Sequence, residues 1–160
     1  MFFEKVSYAQ FQKDFKDCFP NDNEEQAYNT VTIPRRATAC SAGYDFVSPV
    51  DFYLLPDQPV KIPTGIRIIL PEDAFLMCVP RSGLGFKYGL SLMNTVGIID
   101  ADYFNSPNEG HIFAKLKTDY PVLIQAGEAF MQGIILPYYK TDSDDTTSVR
   151  TGGFGSTSKK

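Results

Sequence analysis

The chain has no tryptophan, a single histidine at position 111, three scattered cysteines at 18, 40 and 78, and no long apolar run. Each scarcity closes a route. One histidine removes His–His catalytic pairs and most zinc sites, since neither His111 nor Cys18, Cys40 or Cys78 has another ligand at close spacing. An odd, dispersed set of cysteines makes no disulfide framework, and the opening MFFEKVSYAQ has no apolar run flanked as in a signal peptide, so a reduced cytoplasm is the expected compartment. Nothing approaches the roughly 20 apolar residues that cross a bilayer, so no membrane partner is expected. Basic residues are also short: 15 Lys and Arg against 19 Asp and Glu leave a net charge of -4. A nucleic-acid polymer would ask for a basic face. A small polyanion needs only a few placed cations.

What is present suits one globular domain with a real core: 160 residues, 43% of them hydrophobic, rich in Phe and Tyr. In residues 7 to 18, Tyr8, Phe11, Phe15 and Cys18 recur at spacings of three, four and three behind Ser7, which predicts a capped amphipathic helix. A polar connection, NDNEEQAYNT, follows with room for one more helical turn. From Val31 onward short apolar or alternating runs (VTI, YDFV, VKI, IRIIL, AFLMCV, HIFAKL, PVLI, GIILPYY) are punctuated by Pro, Gly, Asn and Asp. This is an all-β pattern, for which a compact barrel or jelly roll is expected. The end of the chain, TDSDDTTSVRTGGFGSTSKK, is too polar for a core of its own and is expected to move until a ligand or subunit holds it.

Three stretches carry chemistry. PRSGLGFKYGL at 80 to 90 sets Arg81, Ser82 and Lys87 among glycines, which suits either an oxyanion-holding loop or a tight turn with a surface arginine. It matches neither GxGxxG nor the Walker pattern. VGIID at 96 to 100 ends in Asp100, a turn residue or a base in a partly dry pocket; Tyr103, just beyond, is core packing or a wall for a ring. In the tail, glycines surround Phe154, with Arg150 before them and Ser156 and Thr157 after, a combination able to stack on a base and meet phosphate. All three point to a nucleobase carrying phosphates.

With SAGYDF at 41 to 46, PRSGLG at 80 to 85, NTVGIIDADY at 94 to 103, GEAFMQGIILP at 127 to 137 and RTGGFGSTS at 150 to 158, the sequence resembles the trimeric deoxyuridine triphosphate pyrophosphatase (dUTPase) family, whose motifs run in this order. The resemblance implies a jelly-roll-like (β-clip) barrel, a homotrimer with sites between subunits, and hydrolysis of dUTP to dUMP and pyrophosphate with Mg2+. Residues 1–160 then form a single dUTPase domain, with 1–30 a helical extension and 141–160 a mobile C-terminal lid. The resemblance makes Asp100 the group that activates water. Arg81, Ser82, Gly83 and Gln132 would hold phosphates, and Asn94, Gly97 and Ile98 would pair with uracil. Tyr103 would pack under the deoxyribose. Phe154, with Gly155 and Ser156, would close over the base, and Arg150 would meet the γ-phosphate. Asp45 is either an outer ligand of the metal through water or an anchor for its own loop.

The sequence departs from the family pattern at FNSPNEGHI, which inserts residues after Tyr103; with Gly110 as the displaced glycine, Asn105, Asn108, Glu109 and His111 would form a longer loop near the site, either a structural elaboration or a contributor to catalysis. Ala129 stands where arginine is common, Arg150 lies one residue nearer the glycine pair, and Ser158 replaces a glycine. Two rivals remain: a dCTP deaminase-type enzyme of the same fold family, against which VGIIDADY and the glycine-rich tail argue, and a nucleotide-sensing regulatory protein.

Overall fold

The computed structural model describes residues 1–150 and 152. Phe154, Gly155 and Ser156 lie outside the described residues. The chain opens with strand β1 (Phe2–Lys5), then helices α1 (Tyr8–Cys18) and α2 (Glu24–Thr30). Ser7 caps α1 as its sequence predicts, accepting the Gln10 N–H at 3.2 Å, and Phe11 and Phe15 point into the core. Asn23 caps α2 through the Gln26 N–H at 2.8 Å.

The β part comprises β2 (Arg35–Arg36), β3 (Tyr44–Val47), β4 (Phe52–Leu54), β5 (Val60–Pro63), β6 (Ile66–Ile69), β7 (Ala74–Pro80), β8 (Ser91–Leu92), β9 (Gly97–Asp100), β10 (Phe113–Lys117), β11 (Val122–Ile124) and β12 (Ala129–Pro137). Helix α3 (Ser82–Tyr88) follows β7, and a 3-10 helix, Ala101–Asn105, follows β9. The strands pair antiparallel in four groups: β1-β6, β5-β10-β8, β11-β4 and β2-β3-β12-β7-β9. β12 is the central strand of the largest sheet. A register shift between Ala129 and Met131 lets the consecutive Phe130 and Met131 both be buried, as a bulge does.

Two expectations are corrected. The protein is mostly β, but the described residues form four separate sheets and no closed barrel, because prolines and glycines cut most strands to two to five residues. Among the described residues there are three α-helices rather than one with an extra turn: PRSGLGFKYGL, read as a loop, winds into α3 and stops at Gly89, whose φ of 66° gives a left-handed cap. α1 packs against α2 and β5, so Phe11 and Phe15 share a core with Phe46, Leu54, Ile62, Leu76, Leu116 and Phe130. Among the described residues, no helix is long and apolar enough to cross a membrane.

Candidate functional site

β9 runs along the edge of the large sheet, its Gly97 beside Cys78 and its Asp100 beside Phe75 of β7. A side chain at 97 would place its Cβ 3.1 Å from that of Cys78, so the close approach of the two strands favours glycine there. The hairpin before β9 turns through Thr95 at φ 67°, a left-handed conformation for a β-branched residue. Its backbone is fixed by Thr95 N–H to Leu92 C=O (3.0 Å) and Val96 N–H to Asn94 C=O (2.7 Å). Strain of about 1–3 kcal/mol at such a position points to a backbone shaped for a ligand. Asn94 and Ile98 are exposed beside it.

At the other end of β9, Arg150 lies between two carboxylates. Its Nη2 donates to Asp100, its Nε donates to Asp102 at 2.7 Å, and its guanidinium is 5.9 Å from the centre of the Tyr103 ring. Both aspartate side chains are 51% exposed and the arginine 17%. These residues line an open cleft of about 700 Å³ with Asn105, Lys140 and Thr146. Tyr103 is 5% exposed, and burial raises its phenol above its ordinary pKa. It therefore serves as core on one side and presents a ring toward Arg150 on the other.

The residues read as phosphate-holding lie elsewhere. Arg81 follows β7 and caps α3, so Ser82 and Gly83 are in the first turn, where N–H groups have no intrahelical acceptor. Arg81 Nε is 3.5 Å from Asp45 Oδ1, while Gln132, opposite Asp45 on β12, donates weakly to Pro80 C=O at 3.5 Å. A Cβ on Gly43 would strike the Gln132 amide at 2.2 Å, so the first, second and fourth motifs meet at one spot.

The chain does not bring its two halves together. Val79 of β7 faces Gln132, whereas Phe75 faces Asp100. Four residues at about 3.3 Å each separate those rows by roughly 13 Å. The Arg81–Gln132 cluster and Asp100 therefore lie toward opposite ends of β7. Sequence reasoning missed Asp102 as the second carboxylate on Arg150, though its spacing in IIDADY was visible, and missed the left-handed Thr95, for which the sequence carries no signal. It gave the inserted His111 no partner.

The donor chemistry fits a hard divalent cation only in part: oxygens abound, but the described residues contain no group of three or more metal-ligating side chains.

Comparison with known proteins supplies what geometry alone cannot. The dUTPase family model matches residues 29–158. Deoxyuridine 5'-triphosphate nucleotidohydrolase from Lactococcus lactis is 41% identical over 132 residues, covering 79% of this chain and 88% of that one. The corresponding protein from Dictyoglomus turgidum is 36% identical over 144 residues, with 83% and 95% covered. A crystal structure of dUTPase from Streptococcus mutans aligns with a TM-score of 0.66 at 34% identity, over 89% of this chain and 100% of that one. A dUTPase from phage phi11 of S. aureus, in which coordination of a structural Mg(II) ion is described, shares the fold at a TM-score of 0.62 and 20% identity, over 74% of this chain and 92% of its own. On the family match and the identities together, the chain belongs to the dUTPase family.

Proposed function

We propose that the protein hydrolyses dUTP to dUMP and pyrophosphate, with Asp100 taking a proton from the water that attacks the α-phosphorus. As the new P–O bond forms, the bond from that phosphorus to the bridging oxygen breaks and pyrophosphate leaves. The observation that carries the reading is the Asp100–Asp102–Arg150 arrangement beside Tyr103, inside a chain of the dUTPase family. Phosphoryl transfer needs a positioned nucleophile and charge compensation more than covalent help.

While Asp100 accepts the hydrogen bond from Arg150, that carboxylate oxygen is not available to a water. A triphosphate offers Arg150 more negative charge than two exposed aspartates do. Its transfer to the γ-phosphate would free Asp100 for water. The backbone about Asn94, Gly97 and Ile98 would pair with uracil, and Tyr103 would lie under the sugar. The separation of about 13 Å between Asp100 and the Arg81–Gln132 cluster supports a site completed by another copy, hence a homotrimer with Arg81, Ser82, Gly83 and Gln132 reaching a neighbour's substrate. A jelly-roll arrangement of the short sheets and a cytoplasmic location accompany this reading. The tail would act as a lid, with Phe154, Gly155 and Ser156 over the base.

Mg2+, carried mainly by the triphosphate, would offset the repulsion between phosphate oxygens and carboxylates when bound. Asp45, with one oxygen toward Arg81, would reach it through water. The test is pyrophosphate release from dUTP, dTTP, dCTP and UTP in magnesium. Release confined to dUTP is expected; ammonia from dCTP, or binding without turnover, would replace the reading with one of its rivals.

A further inference from the structure

The segment before residue 29 lies outside the family match, and the nine residues FNSPNEGHI follow Tyr103. The two are joined to each other. Glu109 and Gly110 both adopt left-handed φ, 59° and 71°. At Gly110 a side chain would place its Cβ 2.7 Å from Phe104 Cα, so the turn demands glycine. Glu109 is held in its uncommon conformation by its carboxylate, which accepts the Ser7 backbone N–H at 2.8 Å and the Ser7 hydroxyl at 2.6 Å at the start of α1. Two helical turns further, Asp14 Oδ2 lies 2.6 Å from His111 Nδ1. His111 is completely buried, and its Nε2 accepts the Gly65 N–H at 2.8 Å, which places the ring proton on Nδ1 and makes it the donor to Asp14. Arg67 adds a third tie, bridging Glu4 of β1 at 2.6 Å and covering the Phe104 ring at 4.3 Å.

That loop ends on Tyr103. The phenol donates to the His111 carbonyl at 2.9 Å, and Asn108 Nδ2 donates to the phenol oxygen at 2.9 Å. Among the described residues, the buried side-chain polar atoms without a hydrogen-bond partner are Arg67 Nε, Ser106 Oγ and Asn108 Oδ1, all within or against this loop. Uncompensated polar groups gathered in one place mark a shape kept for something other than stability.

We propose that the N-terminal segment and the 104–111 loop form a clamp that fixes the Tyr103 ring and thereby sets the discrimination between deoxyribose and ribose, with Asp14, Asn108, Glu109 and His111 as positioning residues. This rests on the reading above, in which Tyr103 lies under the sugar. A ring held from behind at its hydroxyl cannot retreat from a 2′-hydroxyl. A ring that can retreat admits it.

The experiment compares kcat/KM for dUTP, UTP and dCTP in wild type, Asn108→Leu and Glu109→Ala, with thermal melting to confirm folding. Asn108→Leu loses a donor but also removes a buried acceptor that lacks a partner, so it is expected to fold. The preference for dUTP over UTP should fall about tenfold in both variants, while the preference over dCTP, set at the base, stays in place. Folded variants in which neither preference moves, or in which both fall together, would overturn the clamp. If Glu109→Ala does not fold, Asn108→Leu decides. Absence of dUTP hydrolysis in wild type would instead remove the functional reading, and the clamp with it.

Discussion

Asp100 and Asp102 hold Arg150 at the mouth of an open cleft, and Asp14 holds His111 beneath the helices, so one kind of acid–base contact appears twice in opposite settings. The first pair of acids is 51% exposed; in the second, the histidine is 0% and the aspartate 13% exposed. Water competes for the first and hardly for the second. An exposed ion pair contributes about 0–1 kcal/mol and is easily exchanged, which suits the transfer to phosphate proposed for Arg150. A buried partner left alone costs several times more, which suits a contact whose task is to keep a tyrosine in place. The burial of the same chemistry decides whether it works as a latch or as a peg.

That contrast can be broken at either end. Asp100→Asn should cut dUTP turnover by about 10³-fold or more while leaving the melting temperature within a degree or two, because a base is lost and only a solvated pair disappears; pyrophosphate release and calorimetry on one preparation check both. Removing residues 150–160 should lower turnover by about 10²-fold without unfolding the chain, since Arg150 and the proposed lid go together. Unchanged turnover would reject the lid. Asp14→Ala should invert the pattern, destabilising the fold by roughly 3 kcal/mol in denaturant titrations and weakening sugar selection more than kcat.

The smallest effect is one of pH. Burial lowers the His111 pKa below its ordinary 6.5, against the opposing influence of Asp14 from α1 and Glu109 from the loop and with that of Lys61 from β5. Below pH 6.5 the unfolded chain therefore binds a proton that the folded chain refuses. Stability should decline as pH falls from 6.5 through the lower folded pKa, by no more than about 1.4 kcal/mol per pH unit. Asp14, itself lowered although desolvation opposes the shift, adds a loss only below its ordinary 3.8. Unfolding midpoints at pH 7.5 and 5.5 should differ in wild type and converge in His111→Gln.

Much of this was legible in residue order. The spacing of Phe11 and Phe15 behind Ser7 marks α1, since an amphipathic helix needs only its own period and cap. The runs YDFV, VKI, IRIIL, AFLMCV, HIFAKL, PVLI and GIILPYY mark β3, β5, β6, β7, β10, β11 and β12, whereas VTI at 31 to 33 forms no strand and β4 and β8 lie outside those runs. α3 was hidden because the glycines at 83 and 85 argue against a helix locally, and β1 because FFEK becomes a strand only through its pairing with β6. The five motifs exposed Asp100, Tyr103 and Arg81, yet said nothing of their separation, which depends on register along β7.

By itself the sequence determined the family, the motif positions of Asp100 and Tyr103 and the first helix, all of which depend on neighbours a few positions apart or on motifs kept in order. Only the tertiary structure decided that Asp14 meets His111 across 97 positions, that Glu109 accepts from Ser7 across 102, and that Arg150 rests on Asp100 and Asp102. The first two contacts arise because α1 packs against β5, which pairs with β10 just after the loop, and distance in space, unlike spacing along a chain, is set by packing of the whole core.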